Sequence, residues 1–82
     1  MITEKRGEAA SAEIGRWANA VIRPLDALAE ASVYYDGDSA TYVLRLARAS
    51  RVLVFRLSEA QVHTPGRQDE CVKTLKTKLK NL

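Results

Sequence analysis

The sequence contains only one cysteine and one histidine, and this scarcity excludes several kinds of chemistry. A single cysteine cannot form an intramolecular disulfide, and a metal centre needs several His, Cys or carboxylate ligands at paired spacings such as C-x-x-C. We therefore expect no metal and no cofactor. A chain of 82 residues without disulfides is typical of a reducing compartment, so the sequence predicts a cytoplasmic protein.

Glycine is also sparse, with four scattered residues, and the glycine-rich motifs that cradle phosphates or expose a catalytic serine do not occur. His63 and Cys71 are the one pair that resembles a base and a nucleophile. A loop histidine and a small buried helical residue explain them with fewer assumptions. Likewise, a polar hairpin loop explains Asp36 and Asp38 better than a carboxylate pair. We do not expect an enzyme.

Long hydrophobic runs are missing as well. No stretch approaches the roughly 20 apolar residues of a membrane span, and the opening MITEKRGEAA lacks the apolar core of a signal peptide. Hydrophobic residues at 46% and charged residues at 28% are typical of a folded chain, and this length supports one core, so we predict a single domain over residues 1–82. The net charge of +3 favours anionic partners without requiring them.

Residues 8–31 have the spacing of an amphipathic helix. Apolar residues recur there at steps of three and four: Ile14, Trp17, Val21, Leu25 and Leu28. Pro24 interrupts the pattern, because proline lacks a backbone N–H and its ring clashes with the preceding turn. The apolar phase continues beyond the proline, so the sequence favours a kink over a break.

From residue 32 the apolar period changes to two. The segments SVYY, ATYVLRLAR and RVLVFRL predict a three-stranded antiparallel meander. If residues 36–39 form the first loop, Val33 faces Tyr42. If Ala49 and Ser50 centre the second loop, apolar residues face one another in three pairs: Leu46 with Leu53, Leu44 with Phe55, and Tyr42 with Leu57.

The remaining residues predict helices. SEAQ, residues 58–61, has the S-x-x-Q form of a capping box and predicts a brief helical turn. An apolar stripe then marks a C-terminal amphipathic helix: Cys71, Val72, Leu75, Leu79 and Leu82. The predicted fold is α+β, ordered α-β-β-β-α, with a long kinked N-terminal helix, the meander and the C-terminal helix.

This order resembles that of double-stranded RNA-binding domains, which use basic residues at the start of their second helix and a Gly-Pro-x-His type of loop. Here the corresponding helix starts with Gln68, Asp69 and Glu70, and the first hairpin loop is the acidic DGDS. The resemblance is one of element order, which says little about function.

The second face of the predicted sheet is the main functional candidate. The residues paired above form one face, called the Leu and Phe face: Tyr42, Leu44, Leu46, Leu53, Phe55 and Leu57. The opposite face carries an unusually apolar set with interleaved arginines: Tyr34, Thr41, Val43, Arg45, Ala47, Val52, Val54 and Arg56. Two arrangements account for it. Each helix covers a different face, or both helices cover the Leu and Phe face. We hypothesise the second, because Arg45 and Arg56 would be costly to bury beneath a helix.

The predicted function is therefore protein–protein contact by a small non-enzymatic module. Its partner is a second copy or a larger protein, as for a small bacterial or phage regulator or inhibitor. Six residues are the predicted partner-binding set: Tyr34, Val43, Arg45, Val52, Val54 and Arg56. The alternative is nucleic-acid binding through a further basic set: Arg48, Arg51, Lys73, Lys76 and Lys80. The lysines of that set also have the character of a solvated helix face, which is the simpler interpretation.

Overall fold

The chain folds around a three-stranded antiparallel sheet, which a computed structural model describes together with the rest of residues 2–82. A short 3-10 turn, Gly7–Ala10, leads into the first helix. The elements then follow in the order α1 Ser11–Ile22, β1 Glu30–Asp36, β2 Thr41–Arg48, β3 Arg51–Ser58, α2 Glu59–His63 and α3 Gln68–Lys80. The predicted α+β class and the order of its main elements are confirmed.

Helix α1 is shorter than its apolar spacing predicts. It ends at Ile22, and the Asp26 N–H donates to the Ile22 carbonyl oxygen at 2.8 Å. The Asp26 carboxylate then accepts from the Leu28 N–H at 3.1 Å, which turns the chain toward β1. The predicted kinked continuation to residue 31 is therefore wrong, because the helix ends at Ile22, two residues before Pro24, and a local turn satisfies the backbone. Leu28, expected in the buried stripe, is 81% exposed.

The second hairpin has the predicted register. Leu46 pairs with Leu53, Leu44 with Phe55, and Tyr42 with Leu57. Arg48 pairs with Arg51 across a two-residue turn in which Ala49 adopts a φ of 54°, the left-handed region that tight hairpins require. The matched apolar pairs bury one face of the sheet and exclude a one-residue slip.

The first hairpin is offset by two residues from its predicted register. Its turn comprises residues 37–40, so Val33 pairs with Leu44, and Tyr35 with Tyr42. The prediction started the loop at Asp36, whereas Asp36 ends β1 and its carboxylate accepts from the Asp38 N–H at 3.1 Å. Because side chains alternate with period two, an even offset leaves each residue on its predicted face.

Both long helices pack on the same face of the sheet. Buried residues of α1 (Ile14, Ala18 and Ile22) and of α3 (Cys71, Leu75 and Leu79) join one core cluster with Tyr42, Leu44, Leu46, Phe55 and Leu57. The sheet residues in this cluster all belong to the predicted Leu and Phe face. The helices therefore form one layer, and the other face of the sheet is left without a helix among residues 2–82.

The free edge of β1 is partly occupied by side chains of the N-terminal segment and α1. Asn19 of α1 donates to the Ala31 carbonyl oxygen at 3.0 Å and accepts from the Ala31 N–H at 2.9 Å, as a neighbouring strand would. Its amide also donates to the Gly15 carbonyl oxygen at 3.0 Å. Further along the strand, the Glu8 carboxylate accepts from the Tyr35 N–H at 3.3 Å. These bonds occupy backbone groups that an edge strand usually offers to another chain.

The N-terminal segment is fastened across the end of the core. The Ile2 N–H donates to the Val62 carbonyl oxygen at 3.1 Å, and the Gly7 N–H donates to the Tyr42 hydroxyl at 3.0 Å. The capping box predicted at Ser58 and Gln61 is confirmed in both of its hydrogen bonds, and it starts α2 directly after β3. The segment and α2 together close the core beside Tyr42.

Replacing Asn19 with alanine tests its role in holding α1 against β1. We expect Asn19→Ala to lower the free energy of unfolding by about 2 kcal/mol, because two backbone groups of Ala31 lose their partners in a partly buried site. Urea denaturation followed by circular dichroism measures the change. The matched control is Arg16→Ala, an exposed position on the same helix, which should stay within about 0.5 kcal/mol of wild type. Equal stabilities of the two variants would contradict the role assigned to Asn19.

Candidate interaction surface

The sheet face that carries no helix is called the outer face here. It consists of alternate residues of the three strands: Glu30, Ser32, Tyr34 and Asp36; Thr41, Val43, Arg45 and Ala47; Val52, Val54, Arg56 and Ser58. Three large apolar side chains on it are open to solvent, with Tyr34 55% exposed, Val52 49% and Val54 57%. A solvated antiparallel face usually carries polar residues at such positions. The second of the two arrangements considered for the helices is therefore the one observed.

Val43 differs from the other members of the predicted partner-binding set. It lies on the central strand with Tyr34 and Arg56 as its cross-strand neighbours, and only 2% of it is exposed. Longer side chains thus flank it on both neighbouring strands of a face that no helix covers. Val43 therefore packs between its neighbours and offers a partner little contact area of its own.

Arg56 is held at one corner of the outer face. Its Nη1 atom lies 2.9 Å from Asp36 Oδ2, 2.9 Å from Thr41 Oγ1 and 3.2 Å from Ser39 Oγ. The hydrogen bond from the guanidinium, followed by one from Ser39, lowers the pKa of the Asp36 carboxyl below its ordinary value. The charge of Arg56 is therefore partly neutralised within the chain, and the arginine joins the two ends of the first hairpin.

Arg45 has no such partner. It is exposed near the middle of the outer face, with Ser32 and Val54 as cross-strand neighbours. No salt bridge or side-chain hydrogen bond joins it to any residue in the described range 2–82. The outer face thus presents one unneutralised guanidinium beside exposed valines, a combination of side chains that is enriched in protein interfaces.

The residues of the nucleic-acid alternative converge in part, at a different place. A groove of about 430 Å³ at one end of the molecule, called the basic groove, is lined by Leu25, Asp26, Arg48, Lys76, Leu79 and Lys80. Arg48 is engaged there, because its guanidinium forms a salt bridge with Asp26. Arg51 is exposed beside it across the second hairpin turn, and Lys73 is exposed one turn earlier on α3. Asp26 and Leu25 at this groove were missed, since the sequence assigned them to a helix.

His63 and Cys71 are hydrogen-bonded to backbone carbonyl oxygens and not to each other. The His63 Nδ1 atom lies 2.9 Å from the Glu59 carbonyl oxygen, and its Nε2 atom lies 2.6 Å from the Lys5 carbonyl oxygen. Cys71 is buried, and its thiol donates to the Gln61 carbonyl oxygen at 3.6 Å. Burial raises the pKa of the Cys71 thiol, which disfavours the reactive thiolate. Both side chains fasten neighbouring segments to one another.

Other kinds of site can be assessed for the described part of the chain. Residues 2–82 contain no cluster of three or more His, Cys, Asp or Glu side chains placed to hold a metal ion. Within the same range, no helix has the length and apolar character needed to cross a membrane. Comparisons with protein-family models, with curated proteins and with solved structures found no match.

Acid titration tests the salt bridge between Arg48 and Asp26. The hydrogen bond from Arg48 lowers the pKa of Asp26 below its ordinary 3.8 despite partial desolvation, so the ionised carboxylate stabilises the fold above that pH. This stabilisation disappears as the pH falls through the lowered pKa. We expect the Tm of the wild type to fall from about pH 5 to about pH 2, and the fall to be smaller in Asp26→Asn.

The control for this titration is Glu4→Gln, an exposed position without a salt bridge among residues 2–82. Its profile of Tm against pH should follow the wild type. An Asp26→Asn profile that also follows the wild type would show that the salt bridge contributes nothing to stability.

Proposed function

We propose that the protein is a non-enzymatic binding module that acts through protein–protein contact on its outer face. The observation that carries this proposal is the exposure of Tyr34, Val52 and Val54 on a sheet whose other face buries both long helices. Side chains of this size left in water cost free energy that an interface recovers. Within residues 2–82 no helix lies over these side chains, so the face is open to a partner molecule.

The charges of the outer face define what its partner presents. Arg45 lies beside Val54 and forms no salt bridge within residues 2–82, whereas Arg56 is paired with Asp36. A partner that sets an apolar surface against the valines and a carboxylate against Arg45 satisfies both requirements. A regulator or inhibitor that docks on a larger protein, or a module that pairs with a second copy, would use the face in this way.

The absence of catalysis in this proposal has its own support. His63 and Cys71, the two side chains best suited to nucleophilic chemistry, are both turned toward backbone carbonyl oxygens. The raised pKa of the Cys71 thiol further disfavours its use as a nucleophile. Their contacts are those of structural residues.

Site-specific photocrosslinking tests whether the outer face is a binding surface. We expect a benzoylphenylalanine in place of Tyr34 to form a covalent adduct in cells that express the protein, because the exposed ring position would lie inside the interface. Mass spectrometry identifies the adduct, either as twice the chain or as another protein. Adding Val54→Asp should remove it, since a carboxylate at that position opposes burial.

The control carries the same photoreactive residue in place of Arg16, on the exposed side of α1. It should yield no adduct that depends on Val54. Equal labelling from the two positions, or labelling from position 34 that survives Val54→Asp, would refute the proposed function.

The second candidate is nucleic-acid binding at the basic groove, which is favoured by the convergence of Lys76, Lys80 and Arg48 at one end of the molecule. Lys76 and Lys80 are exposed and have no salt bridge to any described residue. Phosphate contacts made by such side chains release counterions and depend steeply on salt. The exposed Arg51 and Lys73 would extend the contact beyond the groove.

Fluorescence anisotropy with a labelled mixed-sequence oligonucleotide checks this candidate. If it holds, affinity should fall about tenfold or more between roughly 50 and 200 mM salt, and the double variant Lys76→Gln, Lys80→Gln should bind with a shallower salt dependence. Lys5→Gln, in the N-terminal segment, is the matched control and should bind as the wild type does. Binding that ignores salt, or that survives loss of both lysines unchanged, argues against the groove.

A further inference from the structure

The two edges of the sheet differ, and the difference can be traced through the backbone. Ala31 directs its N–H and carbonyl oxygen to Asn19, away from β2. Backbone groups alternate in direction along an antiparallel strand, so the pair of Ala31 with Leu46 is one without mutual hydrogen bonds. Leu46 must then direct its own groups toward β3, where it pairs with Leu53.

The same alternation sets the direction of every backbone group on β3. If Leu53 faces β2, the N–H and carbonyl groups of Val52, Val54 and Arg56 point outward along the free edge. Ser58 has the same parity, and its N–H donates to Gln61 Oε1 at 2.9 Å rather than to β2, as this assignment requires. No hydrogen bond within residues 2–82 occupies the outward groups of Val52, Val54 or Arg56.

The β3 edge carries two arginines, Arg51 and Arg56, but lacks two other features that protect edge strands. It contains no proline and no bulge, and its pairing with β2 is regular from Arg51 to Ser58. The residues with outward backbone groups include Val52 and Val54, the two exposed valines. A regular apolar edge strand of this kind is a template for pairing with another strand.

We propose that a second copy of this chain occupies the edge, with β3 antiparallel to β3 about a two-fold axis at Val54. This inference goes beyond the proposed function, because it concerns the edge of β3 and leaves the outer face itself uncovered. In that register Val54 faces Val54 of the second copy, and Val52 faces its Arg56. The three residues with free outward groups are then all paired. Ser58, whose N–H is already bonded to Gln61, is not needed for the pairing.

The register is self-complementary in its side chains as well. On the outer face, each Arg56 lies across from Val52 of the second copy, so no two arginines face each other directly. On the core side, Leu53 lies across from Phe55, and Arg51 across from Leu57. Since Glu59 follows β3 immediately, Arg51 comes near Glu59 of the second copy, which adds a favourable charge contact.

The partly occupied edge of β1 limits how far such an assembly grows. Two chains joined through β3 form a six-stranded sheet whose outer strands are both β1. Asn19 and Glu8 occupy backbone groups on each of those strands, so further strands do not add readily. One open edge and one occupied edge are what a closed two-fold dimer requires, whereas two open edges would lead to a filament.

Light scattering on the purified protein tests the inference. We expect the mass to rise from one chain to two between about 10 µM and about 1 mM, because an interface of one strand pair belongs to the weak, small class. Val54→Pro should remain one chain at all concentrations. Its N–H points to the edge, so proline removes a bond to the second copy without breaking the ladder with β2. Val54→Thr keeps the N–H and should dimerise.

Amide hydrogen exchange in the wild type gives a readout that does not depend on how a variant folds. The amides of Val52, Val54 and Arg56 should become protected as concentration rises. Those of Leu53 and Phe55, which face β2, should be protected at every concentration. Exchange at the three edge amides that ignores concentration would overturn the inference.

Disulfide trapping tests the register. Val54→Cys should form a disulfide-linked dimer under mild oxidation, because the two-fold places these α-carbons about 5.5 Å apart. Val52→Cys should not, since its counterpart lies four residues along the strand, roughly 14 Å away. Native Cys71 is buried and is present in both variants, so any disulfide that it forms contributes equally to the two measurements. Trapping at position 52 and not at position 54 would overturn the register.

The outcomes separate this inference from the proposed function. A chain that stays monomeric to about 1 mM, or that forms assemblies larger than two, overturns the β3 pairing. If the chain stays monomeric but position 34 forms a Val54-dependent adduct with a different protein, the proposed function stands. Loss of that adduct together with a monomeric mass would overturn both.

Discussion

The structure depends most on the hydrogen bonds that Asn19 makes to the backbone of Ala31. They let a helical side chain stand in for a missing strand, with both the donor and the acceptor of one residue satisfied at 2.9 to 3.0 Å. Because the carboxamide also bonds the Gly15 carbonyl oxygen, its orientation is set from within the helix. Helix α1 is therefore held beside β1 in one register and not merely packed over the sheet.

This attachment determines which surfaces remain free. With α1 anchored at the β1 side, and α3 sharing its core, the two helices form a single layer over Tyr42, Leu44 and Leu46. The outer face is then left to solvent with Tyr34, Val52 and Val54 exposed. At the level of the sheet, Asn19 and Glu8 occupy backbone groups at both ends of the β1 edge, whereas the β3 edge is open. Two of the three exposed side chains, Val52 and Val54, therefore lie on the strand that has the open backbone groups.

The charged residues divide according to whether the fold uses them. Arg48 and Arg56 each bind a carboxylate, Asp26 and Asp36 respectively, and both pairs join segments that are distant in sequence. The cause of the lowered pKa of each carboxyl is chiefly the arginine beside it. Arg45, Lys76 and Lys80 have no salt bridge among residues 2–82, so their charges are available to other molecules. Counting basic residues in the sequence does not distinguish the two groups.

Local patterns determined the elements of this fold. The change of period at residue 32, the capping box at Ser58 and the apolar pairs of the second hairpin are visible in the sequence because each depends on residues a few positions apart. The same period assigned each strand residue to its face, even where the first hairpin was misplaced by two residues. The residues of the outer face were therefore predictable.

Tertiary contacts decided the rest. Continuing periodicity past Pro24 suggested more helix, yet Asp26 binds Arg48, twenty-two positions away, and its turn leads the chain into β1. The burial of Val43, the partial occupation of one sheet edge by Asn19 and the placement of both helices on one face likewise depend on groups far apart along the chain. A periodic pattern predicts the face of an element on which an apolar side chain lies. What covers that face depends on the packing of the whole chain.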